Sequence, residues 1–335
     1  MNRGPGNAIL SIGGFASRAV LDACAADAPQ PRVRDCLGES DMAEAAPSEK
    51  TPELPQFDLQ EFVRRVLAED LGSGGDVTSD ATIAADARFT AEMNCREPIT
   101  VAGLDVAIAF FRALDRDVRV KKEVADGDSV AAGTVLLRLD GHARAMLAAE
   151  RSALNTLQHL SGIATLTRRY ADAITGTGAV LLDTRKTIPG LRLLDKYAAR
   201  MGGAQNHRMR LDDGVLIKDN HVAVCGGVEA AIKAAVAANI GLEIQVEVDR
   251  IEQIEPALAA GADRLLLDNM DPATLREAVA LVAGRVPLEA SGGVNLDTIR
   301  GIAETGVDFI SVGRITQSAA AVDIGLDYAL QELPA

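Results

Sequence analysis

The chain has 335 residues, 48% of them apolar, and a formal charge of −14. That length accommodates one large domain or two ordinary ones with a substantial core, and the apolar share excludes wholesale disorder. The acidic balance argues against nonspecific nucleic-acid or anionic-membrane binding, so any anion site must be a local cationic pocket.

Residues 1–55 are rich in Ala, Pro, Gly, Ser and Asp without a sustained period, and read as a disordered tail. Order is expected from Asp58, where Asp58 and Glu61 form a capping box and Phe62, Val63, Val66 and Leu67 recur at helical spacing. That helix ends in the glycine-rich loop around Gly72, Gly74 and Gly75. From Phe89 to Leu139 the chain reads as short strands. Its 124–139 stretch resembles a biotinyl or lipoyl carrier, but the modifiable Lys at a hairpin tip is missing, which favours a plain β-rich subdomain. A long helix follows over 144–174, with Leu147, Leu154, Leu157 and Leu160 on its buried side.

After Gly176 short apolar runs return at 180–182, 215–217, 244–248, 264–267, 287–290 and 309–312, with helical segments at 228–238, 251–260, 273–283 and 296–304. Strand alternating with helix six times argues for a parallel sheet with right-handed crossovers, and connections this regular favour a barrel over an open sheet. Strand order stays open at this level. Aromatics are 3% and Trp is absent, so the core must come from Leu, Val, Ile and Ala, which suits buried parallel strands. Cys24, Cys36, Cys95 and Cys225 are scattered, which fits reduced thiols in a cytoplasmic protein. No apolar run reaches the roughly 20 residues of a membrane span.

The functional expectation rests on the strand ends, where an α/β barrel keeps its active site. They carry Asp183-Thr184-Arg185-Lys186, then Lys218-Asp219-Asn220-His221, Glu247, Asp268-Asn269, Ser291-Gly292-Gly293 and Gly313-Arg314. A charge inside a β-rich run, such as Lys218 or Glu247, costs several kcal/mol unless paired or solvated by a pocket. Arg185, Lys186, His207, Arg208 and Lys218 cluster around the first two strand ends and point to a substrate with several negative charges. The glycines before the helix at Leu296, and Gly313, can present backbone N–H groups to a phosphate. These residues alone leave open an enzyme acting on a phosphorylated substrate with several negative charges, a Schiff-base aldolase using Lys186 or Lys218, or a non-catalytic phosphate-sensing scaffold.

At these positions the sequence resembles the quinolinate phosphoribosyltransferase family. The resemblance runs through EDLGSGGDVTSD (69–80), ERSALNTLQHLSGIAT (150–165), DTRKTIPGLR (183–192), GGAQNHRMRLDDGVLIKDNH (202–221), VEVD (246–249), LLLDNM (265–270), EASGGV (289–294) and ISVGRIT (310–316). It implies an incomplete α/β barrel of six or seven parallel strands over 166–319, plus an open-faced α/β sandwich domain over 56–165 joined by 320–335. It also implies a Mg2+-dependent enzyme acting on quinolinate and phosphoribosyl pyrophosphate. A homodimer with a shared active site is implied too, with further assembly into a hexamer of dimers left open.

By the same resemblance Arg151 reaches the neighbouring subunit's site. Thr184, Arg185, His207, Arg208 and Lys218 hold quinolinate, and Lys186 lies between the two substrates. Glu247 and Asp268 face the ribose and its metal, and Ser291, Gly292, Gly293 and Gly313 face the phosphate. Lys186, Lys218, Glu247 and Asp268 are the expected catalytic groups. Ile188 departs from the family's usual Thr at that place. A relative using nicotinate, or a paralogue associated with molybdate transport, is the nearer alternative.

Overall fold

The computed structural model describes residues 57–329, and the expected tail at 1–55 lies outside them, as do 330–335. Helix α1 (Leu59–Leu71) starts where the Asp58 carboxylate accepts the Glu61 N–H at 2.9 Å. Only half of the expected capping box forms, because the Glu61 side chain turns forward to Arg64 (2.6 Å). The glycine-rich loop leads into α2 (Val77–Thr82), a short helix that the sequence reading missed. Asp76 starts it by accepting from Thr78 and Ser79 N–H.

Then come β1 (Arg88–Cys95), β2 (Ile99–Thr100), α3 (Leu104–Leu114), β3 (Arg119–Lys122), β4 (Ser129–Val130) and β5 (Val135–His142). Four strands form an antiparallel sheet in the order β12–β1–β5–β3, where β12 is Ile324–Tyr328 near the end of the described chain. β1 alternates between faces, so Ala91, Met93 and Cys95 are fully buried while their neighbours are not. Helix α3 corrects the reading of 89–139 as strands alone. Its apolar run Val106-Ala107-Ile108-Ala109-Phe110-Phe111 is buried on most sides, which erases the one-sided stripe that betrays a helix.

The 31-residue α4 (Ala143–Ala173) connects this sheet to a second one. Next follow β6 (Val180–Leu182), α5 (Arg192–Met201), β7 (Val215–Ile217), α6 (Asp219–Cys225), α7 (Val228–Ala237), β8 (Ile244–Val248) and α8 (Ile254–Ala260). The chain continues through β9 (Arg264–Asp268), α9 (Pro272–Val282), β10 (Leu288–Ser291), α10 (Ile299–Ala303), β11 (Phe309–Ser311) and α11 (Arg314–Gln317) before β12. All six strands from β6 to β11 are parallel, in the order β6–β11–β10–β9–β8–β7. From β7 onward each strand pairs with its successor, and the last returns to the first. The ring lacks one ladder, between β6 and β7, where a single bridge joins Leu182 to Gln205. The barrel is therefore incomplete. Among the described residues no helix is long and apolar enough to cross a membrane.

Candidate active site

The C-terminal ends of the six strands open onto one cavity of about 660 Å³. On β9 and β10 alternate side chains reach it, Leu266 and Asp268 from one strand and Glu289 and Ser291 from the other, as a period of two requires. Every residue given a substrate, metal or catalytic role from the sequence lines this cavity except Arg151. That residue is exposed on α4 and is not part of the lining, and Asp183, Ile188, Asn220 and His221 also lie outside it.

The cationic wall is Arg185, Lys186, Arg208 and Lys218, with Thr184 and His207 beside them. Its scaffold is a fully buried ion pair, Lys196 Nζ to Asp183 Oδ1 at 2.5 Å. Asp183 also accepts from Asn206 Nδ2 (2.5 Å) and His207 N–H (2.8 Å), while Lys196 donates to the His207 carbonyl (2.9 Å). The end of β6 and the 205–208 segment are thereby fastened to each other and to α5. Burial pushes the Asp183 carboxyl up and the Lys196 ammonium down, against their mutual attraction.

Thr184 Oγ1 accepts the Lys186 N–H (3.0 Å), and Thr316 donates to the Lys186 carbonyl (2.7 Å). Asp195, buried on α5, accepts the Ile188 N–H (3.0 Å) and pairs with His159 Nε2 of α4 (2.8 Å). Arg208 donates to the Gly214 carbonyl at 2.9 Å. Burial lowers the pKa of its guanidinium, and the charge of Arg185 adds to that effect. Arg185 Nε is buried without a hydrogen-bond partner among the described residues. Two adjacent guanidiniums, one with an unpartnered Nε, make a site for an anion, and Asp213 only partly offsets their charge.

The acidic part of the lining adjoins the cationic one. Lys218 Nζ lies 3.1 Å from Glu247 Oε2, so the two charges expected to need a partner supply each other. Asp268 accepts from Asn269 Nδ2 (2.6 Å). Glu247 and Asp268 come from adjacent strands, β8 and β9. Hard carboxylate oxygens in this number suit a cation that takes one or two protein ligands and completes its shell from phosphates and water. No group of three or more His, Cys, Asp or Glu among the described residues could hold a metal unaided.

The glycine loop is a further part of the lining. Gly292 has φ +91°, and a Cβ there would collide with the Asn269 side chain and sit 2.9 Å from its backbone N. Asn269 itself adopts φ 55° and donates its N–H to the Ser291 carbonyl (2.8 Å). The helix expected at Leu296 begins only at Ile299, because Asn295 Oδ1 accepts the N–H groups of Asp297 (2.9 Å) and Thr298 (3.1 Å) in a local turn. The glycine pair therefore belongs to a turn, not to a helix N-terminus. Lys186 lies over the other glycine, where a Cβ at Gly313 would fall 2.7 Å from its Cδ.

Sequence reasoning missed Lys196 and Glu289. Nothing in the sequence marks Lys196, an ordinary helix residue there. Glu289 carries the signal that exposed Glu247, a charge inside an apolar strand, and could have been found by it.

The family model described as "Quinolinate phosphoribosyl transferase, C-terminal domain" matches residues 163–327, and the corresponding N-terminal domain model matches 76–161. The chain is 45% identical over 281 residues to the nicotinate-nucleotide pyrophosphorylase (carboxylating) of Mycobacterium leprae, covering 81% of this chain and 98% of the relative. It is 41% identical over 278 residues to a Bacillus subtilis protein called a probable nicotinate-nucleotide pyrophosphorylase (carboxylating), covering 83% and 96%. A solved nicotinate-nucleotide pyrophosphorylase from Francisella tularensis superposes with a TM-score of 0.79 at 39% identity, covering 84% of this chain and all of that one. The chain belongs to the quinolinate phosphoribosyltransferase family.

Proposed function

We propose that the chain joins quinolinate to phosphoribosyl pyrophosphate, yielding nicotinate mononucleotide, pyrophosphate and carbon dioxide, a step of NAD biosynthesis. The observation that carries this reading is the neighbouring Arg185 and Arg208 guanidiniums lining one cavity with Glu247 and Asp268. The first pair suits a planar dianion and the second a sugar whose reacting carbon becomes positive.

Arg185 and Arg208 grip the two carboxylates, each guanidinium presenting a planar fork. Thr184 and Lys218 complete that grip, and Lys186 stands between the two substrates. His207 lies beneath them. A fixed ring places the pyridine nitrogen at the sugar C1, an entropic advantage that needs no covalent enzyme intermediate. As pyrophosphate departs, positive charge grows on the ribose, and the carboxylates of Glu247 and Asp268 face it. Ser291, Gly292, Gly293 and Gly313 receive the 5′-phosphate through backbone N–H groups. Glu247 and Asp268 would hold Mg2+, in part through water, and the ion would supply charge neutralisation for the pyrophosphate leaving group. Once alkylated, the ring nitrogen draws electrons, so the adjacent carboxylate leaves as carbon dioxide, its bond pair stays on the ring carbon, and a proton from solvent takes its place.

Arg151, exposed on α4, completes the site of a second copy in a homodimer, which can assemble further into a hexamer of dimers. The enzyme works in the cytoplasm, and the sandwich domain ends near residue 165. Incubation with quinolinate, phosphoribosyl pyrophosphate and Mg2+ should give nicotinate mononucleotide and carbon dioxide. Nicotinate in place of quinolinate should give neither, and chelation should stop the reaction. Turnover of nicotinate at a matching rate would sink the reading.

A further inference from the structure

At the floor of the cavity, where Glu289 and His207 both line it, the barrel interior is polar where such cores are ordinarily filled by Val, Ile and Leu. Glu289 on β10 is fully buried, and three donors converge on its Oε2. These are Gln245 Nε2 (2.8 Å), an Arg264 guanidinium nitrogen (2.8 Å) and His207 Nε2 (3.3 Å). Arg264 is stacked over the Phe309 ring, 3.9 Å from its centroid, so the pair is clamped from below. Glu289 Oε1 is buried and finds no partner among the described residues.

The other His207 nitrogen is also committed. Its Nδ1 accepts the backbone N–H of Arg208 at 2.8 Å. A nitrogen that accepts cannot carry a proton, so the ring proton sits on Nε2 and is donated to Glu289. His207 is thus a neutral strut between a buried carboxylate and the backbone of Arg208. Its own backbone is held by Asp183 and Lys196 from the other side. The other charges near this strut are Arg208, its neighbour Arg185 and the Asp213 carboxylate, which acts on Arg208 from the 209–214 loop.

We propose that Glu289 is a positioning residue that fixes His207 as the neutral Nε2–H tautomer and, through the Arg208 backbone, aims the Arg208 guanidinium at the pyridine dicarboxylate. Arg264 neutralises Glu289, so this buried carboxylate can lie below an anion site without repelling its occupant. The barrel floor thereby acts on substrate binding at one remove. The inference rests on the assignment of Arg208 to the quinolinate grip.

The test separates the two. The sequence holds four histidines, so in 15N-labelled protein the His207 ring resonances are assignable by single substitution. Without any substrate, near neutral pH, Nδ1 should report as unprotonated and Nε2 as protonated. An imidazolium or an Nδ1–H tautomer in the wild-type protein overturns the proposal, whatever the variants do. In Glu289→Gln a neutral acceptor replaces the carboxylate shared by three donors. Its KM for quinolinate should rise about tenfold, with kcat and the KM for phosphoribosyl pyrophosphate changed less than about threefold. An unchanged quinolinate KM, or an equal rise for both substrates, also overturns it. Wild-type protein showing the expected tautomer but no turnover of quinolinate would instead fault the site assignment.

Discussion

Arg185 and Arg208 are held close together against their own repulsion, and the groups that hold them are buried neighbours rather than the anion they await. Asp183 and Lys196 form the principal brace. Lys196→Met should leave Asp183 buried with only Asn206 and a backbone N–H, a loss of about 3–5 kcal/mol, read as a lower urea midpoint. Activity should fall with it, because the Arg208 segment hangs from the same pair. A second buried carboxylate reports on pH. Burial works to raise the Asp140 pKa, but hydrogen bonds from Arg88, Thr90 and Arg119 outweigh it and hold the carboxyl below its ordinary 3.8. The stability it contributes is therefore complete above that value and fades as pH falls through the lower native one. Asp140→Asn should cost about 1–3 kcal/mol at neutral pH. Once pH has fallen below the native value, the variant and the parent should converge in chemical denaturation. At this scale the sequence showed the cavity cations and the carboxylates of Glu247 and Asp268, since a charge next to an apolar strand is conspicuous. Lys196 was invisible, because helical Lys residues are nearly always solvated and only the folded packing buries this one.

Helix α4 does two jobs along its length. Its early part displays Arg151 to solvent, and its middle reaches the site through His159 and Asp195, which holds the Ile188 N–H. Asp195→Ala should free that loop without touching substrate. Faster hydrogen exchange at the Ile188 amide should accompany a quinolinate KM raised by about tenfold. The same helix needs Gly162, where a Cβ would collide with the Ala320 carbonyl and lie 3.2 Å from Ala321 Cα. Gly162→Ala should destabilise the fold by about 1–3 kcal/mol, visible as a lower Tm, by lifting the segment that delivers β12 to β1. The extent of α4 was legible because Leu154, Leu157 and Leu160 recur at helical spacing, although its middle, 160–164, is buried all round. Helix α3 was not, since burial on most sides removes the polar stripe that periodicity needs. The delayed start of α10 depended on how one Asn side chain bonds, a detail spacing alone does not carry.

Across the whole molecule the six barrel strands were readable in place and length, because buried parallel strands are short apolar runs with polar ends. Their ring order was not, for pairing partners leave no mark in the runs themselves. An acidic protein with one cationic cavity should bind its dianionic substrate more weakly as salt rises, although burial shields Arg208 from much of that screening. If Arg151 serves a second copy, inactive Arg151→Ala and Lys218→Ala proteins should regain activity when mixed. Random exchange should restore up to about one intact site in every hybrid dimer. Silence after mass spectrometry has verified exchange would count against the shared site.

The missing ladder between β6 and β7 leaves the barrel as a hoop with a clasp, and the clasp is the stretch carrying His207 and Arg208 next to the end of β6 that carries Arg185. A closed ring would fix its girth through backbone pairing alone. Here one bridge and a few side chains set it, so an anion drawn between the two arginines also cinches the hoop, and filling the site and stiffening the scaffold become one event.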